Sequence, residues 1–149
     1  MEAAVRRGLS LLEVLIVLGI IGVLLALVAP NYLRWRTQAQ LDEAARSLAW
    51  TLQQARAEAK RSNSPRCVKV FQNGWASGTD CDNLNQPSTT LKEIAISTNY
   101  ANTPPLSVVF QPPYGTTDAP LKKFTLTHQR AQLQRSVHVV GVIGRVVVR

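Results

Sequence analysis

Six residues near the start of the chain combine in a way that has a clear chemical consequence: Gly8-Leu9-Ser10-Leu11-Leu12-Glu13. Arg6 and Arg7 precede them, and sixteen residues free of charge, hydroxyl or amide, Val14 to Ala29, follow. Cleavage of the peptide bond after Gly8 would create an α-amine on Leu9. Glu13 is the acid that an apolar stretch would otherwise exclude. A carboxylate at the centre of a membrane helix costs on the order of 2.5–3.5 kcal/mol to insert, and less near its edge. The new amine, on the same chain or on a neighbouring subunit, is a cation that offsets this cost. An unpaired Glu13 in lipid would therefore favour assembly, because assembly supplies the partner.

The remaining polar residues offer less chemistry. The two histidines, His128 and His138, stand in no nucleophilic or acid-base constellation, so the chain reads as a non-enzyme. Asp80, Asp82 and Asn83 flank Cys81, but the EF-hand spacing fails at Leu84. A turn bearing solvated acids is the simpler reading, and neither a metal nor any other cofactor is expected. Basic residues are a better lead. In a strand, Arg145 and Arg149 share one face while Val146 and Val148 take the other. Lys122, Lys123, Arg130 and Arg135 lie in the two preceding segments and are candidates to join them. From Ser62 onward nine Lys/Arg stand against four Asp/Glu. A basic surplus favours polyanions (nucleic acid, anionic lipid headgroups or acidic glycans) without choosing among them. Such a patch would contact phosphates by counterion release with little sequence preference, which makes double-stranded DNA one candidate partner. An ordinary solvated basic strand end is the alternative.

Several elements must position these residues. Leu9 to Ala29 is twenty-one residues, about 31 Å as helix, against a bilayer core of ~30 Å. A secretory signal fits poorly, because the run is long and lacks an A-x-A-like cut site. A plain single-span anchor leaves Gly8 and Glu13 without a role. Helix continues from Asn31 to Arg61, with Leu41, Ala44, Ala45, Leu48, Leu52, Ala55 and Ala59 on one face and Arg46, Gln53, Arg56 and Lys60 opposite. Trp50 lies off this stripe and Trp35 near the membrane exit; an interfacial or a packing role is open to both, with packing favoured. Ser62-Asn63-Ser64-Pro65 stops the helix.

Beyond it the hydrophobic period falls to two. Strands are expected at 67–71, 91–97, 106–110, 123–127, 137–142 and 145–148, with a hairpin turn at Asn73-Gly74. Gln111-Pro112-Pro113-Tyr114-Gly115 breaks one strand, and the stretch from Gly141 to Gly144 turns another. The expected fold class is α+β. A long N-terminal helix, half membrane-spanning and half amphipathic, packs on a small antiparallel β-sheet head. The expected divisions are residues 1–8 as leader, 9–30 as membrane and assembly helix, 31–61 as amphipathic helix and 62–149 as head.

Net charge is +8, and +7 remains once residues 1–8 are set aside. Arg6 and Arg7 ahead of the span favour a cytoplasmic N-terminus, so the head lies outside the inner membrane. There disulfides persist, and the chain has two cysteines, Cys67 and Cys81. A bridge between them is favoured over two free thiols. Zinc would need further Cys or His nearby.

A short basic leader, a Gly, a bulky residue, a hydroxyl residue, two aliphatics and a Glu before an apolar helix resembles the N-terminus of type IV pilins and pseudopilins. Leu9 is a departure, since Phe is commoner there. The resemblance implies cleavage after Gly8 by a prepilin peptidase, N-methylation of Leu9, and a role for Glu13 in filament assembly. The second half, chiefly Phe110 to Gly115 and Val139 to Val148, is similar to the GspH/FimT branch. DNA-uptake minor pilins of that branch carry a terminal Gly-Arg-x-Arg; here Gly144-Arg145-Val146 matches and Val147 replaces the second Arg. The implied partners are other pilin or pseudopilin subunits, the peptidase, an inner-membrane assembly platform and membrane lipid. The implied location is a bacterial inner membrane, single-pass with a periplasmic head, then a pilus or pseudopilus. Three functions stay open: a minor pilin assisting DNA uptake, a pseudopilin of type II secretion, and a membrane-anchored periplasmic binding domain with no filament role.

Overall fold

A computed structural model describes residues 10–99, 104–118 and 121–149, with the side chains of 27–30 excepted. Gly8 and Leu9 lie outside the described residues. Helix α1 runs over Leu11–Ser62 and is followed by nine strands. The chain divides into two compact units, Met1–Arg36 and Thr37–Arg149.

In the first unit Ser10 is the N-cap, its carbonyl accepting the Glu13 N–H at 3.0 Å and the Val14 N–H at 3.2 Å. Glu13 thus falls three residues after a serine cap, the spacing of a capping box, where the helix dipole favours a carboxylate. Twelve large apolar side chains between Leu11 and Leu25 are exposed on every side of the helix. By length and composition no single helix among the described residues is long and apolar enough to cross a membrane; Leu11–Ala26 and Asn31–Ser62 pass that test as a pair.

The second unit holds every buried apolar side chain of the described residues. The helix stripe from Leu41 to Ala59 is buried as its period requires, with Ala49 added at its margin. The helix ends at Ser62 with Asn63 in the left-handed region (φ 48°), a residue type that tolerates that conformation. Trp50 is 63 % exposed. The expected packing fails because, at ~3.6 residues per turn, position 50 points about 180° from the Leu41–Ala59 line. Trp35, also 63 % exposed, meets the Tyr32 ring at 6.0 Å.

The head has two antiparallel sheets where one was expected. The first has the order β3(Thr89–Thr90), β2(Gly74–Gly78), β1(Arg66–Phe71), β5(Leu106–Gln111), β6(Thr116–Thr117). The second has the order β4(Ile94–Thr98), β7(Lys123–His128), β8(Gln134–Val140), β9(Arg145–Val148). Both bury one face in the same core as the helix stripe: Val68, Val70, Trp75, Val108 and Phe110 from the first, Ile94, Ile96, Phe124, Leu126, Val137 and Val139 from the second. Hydrogen bonds from the Ile96 N–H to the Gln72 carbonyl and from the Thr117 N–H to the Val142 carbonyl tie the sheets together.

The β1–β2 hairpin closes one residue earlier than the Asn-Gly signal suggests. Phe71 pairs with Gly74, so Gln72-Asn73 is the loop. Gly74 is required for a different reason: a Cβ there would lie 2.0 Å from the Thr89 carbonyl oxygen. Cys67 and Cys81 are bridged, with Cα atoms 5.5 Å apart. The bridge pins the loop after β2 beside β1, where the Lys69 ammonium donates to the Cys81 carbonyl at 3.2 Å.

Candidate functional site

β9 is an edge strand, and its register decides which cations act together. Val140 lies opposite Arg145 and His138 opposite Val147, while Lys123 lies opposite His138 on the other side of β8. Ser136 and Arg149 exchange both backbone hydrogen bonds at 2.8 Å. Directly opposed residues share a face. Lys123, His138, Arg145 and Arg149 therefore occupy the outer face of the second sheet. Ser97, Thr125 and Ser136 fill the positions between: the Ser97 hydroxyl donates to the Thr125 carbonyl at 3.4 Å, and the Ser136 hydroxyl meets His138 and the Arg149 carbonyl. Arg145 and Arg149 are exposed and Lys123 is half-buried.

The Ser136 hydroxyl lies 2.9 Å from His138 Nε2. Partial burial, then the charges of Lys123 and Arg149, hold the His138 pKa below the ordinary histidine value. This face is thus a cationic surface on which burial, and then the neighbouring cations, disfavour the charged form of His138.

The other three expected contributors are engaged elsewhere. Arg135 lies opposite Leu126, on the core-facing side, and its guanidinium bonds to Asp42 of the helix, which raises its pKa. The Lys122 ammonium donates to the Ser107 carbonyl, and burial lowers its pKa despite the opposing pull of Asp118. Arg130 pairs with Glu93 at 3.2 Å. Alternation along β8 could have assigned Arg135 to the core side, since Val137 and Val139 follow at a spacing of two. The Glu93 partnership lies across strands and left no local signal.

His128 is only 3 % exposed. Its Nδ1 accepts from the Arg130 and Ala131 N–H groups, each at 3.3 Å, and its Nε2 faces Glu93 at 3.5 Å. This is a histidine used to cap a turn. Asp80 caps another turn, accepting from the Asp82 N–H at 3.0 Å and the Asn83 amide at 2.9 Å. Among the described residues no group of three or more His, Cys, Asp or Glu is placed to hold a metal ion.

Glu13, the third feature, is exposed in the first turn of the apolar helix. None of the twelve apolar side chains around it is covered by this chain. A helix apolar on all sides requires a lipid or protein surround.

Comparison with known proteins agrees with this geometry at both ends. A family model described as a prokaryotic N-terminal methylation motif matches residues 4–29. The pilin-like protein PilA1 of Thermus thermophilus is 52 % identical over 69 residues, 46 % of this chain and 43 % of that protein. The chain thus matches less than half the length of that relative. Two crystal structures of the type IV minor pilin FimU of Pseudomonas aeruginosa share the fold. One has a TM-score of 0.58 at 16 % identity, covering 77 % of this chain and 92 % of that one. The other has 0.55 at 17 %, covering 73 % and 92 %. Pilins and pseudopilins are structural subunits, not enzymes. The family model described as type II transport protein GspH matches residues 44–142, and the chain belongs to that pilin-like family.

Proposed function

We propose that this chain is a minor subunit of a type IV pilus-type filament and that its head contacts duplex DNA. Prepilin peptidase cuts after Gly8, and the amine of Leu9 is methylated. The helix then holds the subunit in the inner membrane, with the head in the periplasm, until the assembly platform moves it into a filament. The uncovered apolar helix behind Glu13 is the observation that carries the filament reading. Within the bundle Glu13 pairs with the α-amine of a neighbour.

The DNA reading rests on Arg145, Arg149 and Lys123 sharing one exposed face. Arg145 and Arg149 are four residues apart, about 13 Å along a strand, close to the ~12 Å width of the major groove. Among the described residues this sheet face carries no Phe, Tyr or Trp, so the contact is chiefly to phosphate.

A gel shift of residues 32–149 with duplex DNA tests this reading. Two or three phosphate contacts give a log–log salt slope of about −2 to −3. The double variant Arg145→Ala/Arg149→Ala should lose about two units of that slope. Absence of a shift at low salt would count against DNA contact and favour the second reading, a pseudopilin of type II secretion. That reading draws on the family description and on the engagement of Lys122, Arg130 and Arg135 within the head.

A further inference from the structure

The β8–β9 turn, Gly141-Val142-Ile143-Gly144, is built by its glycines: Gly141 and Gly144 both have positive φ (69° and 64°), and the Gly144 N–H donates to the Gly141 carbonyl at 2.9 Å. A Cβ on Gly144 would also lie 2.9 Å from the Phe110 ring. The two residues between them need only turn chemistry, which Gly, Asn, Asp and Ser supply best. They are instead Val142 and Ile143, each 62 % exposed. Nothing in the fold calls for β-branched apolar side chains here.

They are not isolated. The Val142 carbonyl accepts from the Thr117 N–H at 2.9 Å. This seats the turn beside the one carrying Tyr114, which is 75 % exposed. Val140, next along β8, is 42 % exposed. Leu121 precedes Lys122, whose carbonyl bonds to the Val139 N–H at 2.8 Å, so Leu121 lies beside Val140. Leu121 is 68 % exposed. Five large apolar side chains therefore project at one end of the head, where an exposed contiguous patch marks an interaction site.

The border of this patch is cationic. A Cβ on Gly115 would lie 2.8 Å from Arg56 Cγ and 2.9 Å from Lys60 Cε, which places both stems against the Tyr114 turn. Arg145 lies opposite Val140. The nearby acid, Asp118, accepts from the Val109 N–H at 3.1 Å and the Thr117 hydroxyl at 3.4 Å.

We propose that this end of the head docks on an anionic lipid bilayer, with Val142, Ile143 and Tyr114 entering the headgroup–acyl boundary and Arg56, Lys60 and Arg145 meeting lipid phosphates. A second copy is disfavoured because its border is equally cationic and the chain carries +8. Duplex DNA offers phosphates but no surface for the apolar turn. An anionic membrane supplies both from one face.

The test uses the full chain, its apolar helix held in phosphatidylcholine nanodiscs, with no nucleic acid present. Flotation is then measured with vesicles of phosphatidylcholine alone or with a minority of phosphatidylglycerol. The expected result is capture by the anionic vesicles only, weakened about tenfold or more by Val142→Ser/Ile143→Ser. Tyr114→Ser should weaken it too, and an unchanged thermal transition shows that each exposed variant is folded. Three results would overturn the proposal: no preference for anionic vesicles, equal capture of the serine variants, or pairing of nanodiscs without vesicles, which would assign the patch to a second copy.

Discussion

His138 links the outer face of the second sheet to pH. Burial, Lys123 and Arg149 hold its pKa below the ordinary value, and the Ser136 hydroxyl is its close polar partner. The unfolded chain therefore binds this proton more readily than the folded head. The stability that results is fully present above the ordinary histidine value and is lost as pH falls through the lower folded value. On the DNA reading, phosphates on the face would oppose the charges of Lys123 and Arg149 and favour the imidazolium. Affinity for duplex DNA should therefore rise as pH falls from about 7.5 to about 5.5, the range in which histidine titrates. In gel shifts at the two pH values, His138→Gln should flatten the dependence and leave binding at the higher pH nearly intact. An unchanged dependence in that variant would remove His138 from the interface. At this scale the sequence was informative where a single strand decides the answer. Arg145 and Arg149 share a face by alternation alone. The partner of Lys122, Ser107, lies on β5 and that of Arg130, Glu93, just before β4, and no local pattern announces them.

Helix α1 was legible through its 3–4 residue stripe and its Ser62-Asn63 stop, because both are local. Most strands were legible through alternation. Thr89–Thr90 and Thr116–Thr117 were not, since two residues are too few to show a period. These short pieces are the two edges of the first sheet. The hairpin glycine was found and misassigned: Gly74 serves a close backbone approach from Thr89, not a central turn position. Gly74→Ala should accordingly cost about 1–3 kcal/mol, the usual penalty for an added methyl group without room. Urea unfolding followed by fluorescence of the buried Trp75 reads this out, and an unshifted midpoint would show that the Thr89 strand gives way freely. The Cys67–Cys81 bridge closes its loop across a sequence separation of 14. A loop of this size contributes about 3 kcal/mol in the chain-entropy model. Reduction should lower the urea midpoint without changing which residues form the core.

For the molecule as a whole, two chemistries meet in one chain. Thr37–Arg149 has its own apolar core; in the other unit the large apolar side chains from Leu11 to Leu25 are exposed to whatever surrounds them. The split after Arg36 falls inside the expected amphipathic helix, because the helix stripe from Leu41 packs into the core of the head. The two-sheet arrangement was not readable, because alternation shows which face is buried and is silent about neighbours. On the filament reading, Glu13→Val should be processed normally yet enter filaments poorly, since it deletes the charge that seeks a neighbour's amine. Immunoblots of sheared filaments against membranes measure the partition, and full incorporation would refute the pairing account. Gly8→Val separates the filament reading from a plain anchor: it should block maturation and, with it, assembly. The central claim is that proteolysis converts a membrane-inserted precursor into a subunit able to assemble. Intact mass and N-terminal sequencing of the protein isolated from cells test it directly. The account predicts a chain beginning at Leu9 and bearing one methyl group on its amine; a chain that still begins at Met1 would contradict it.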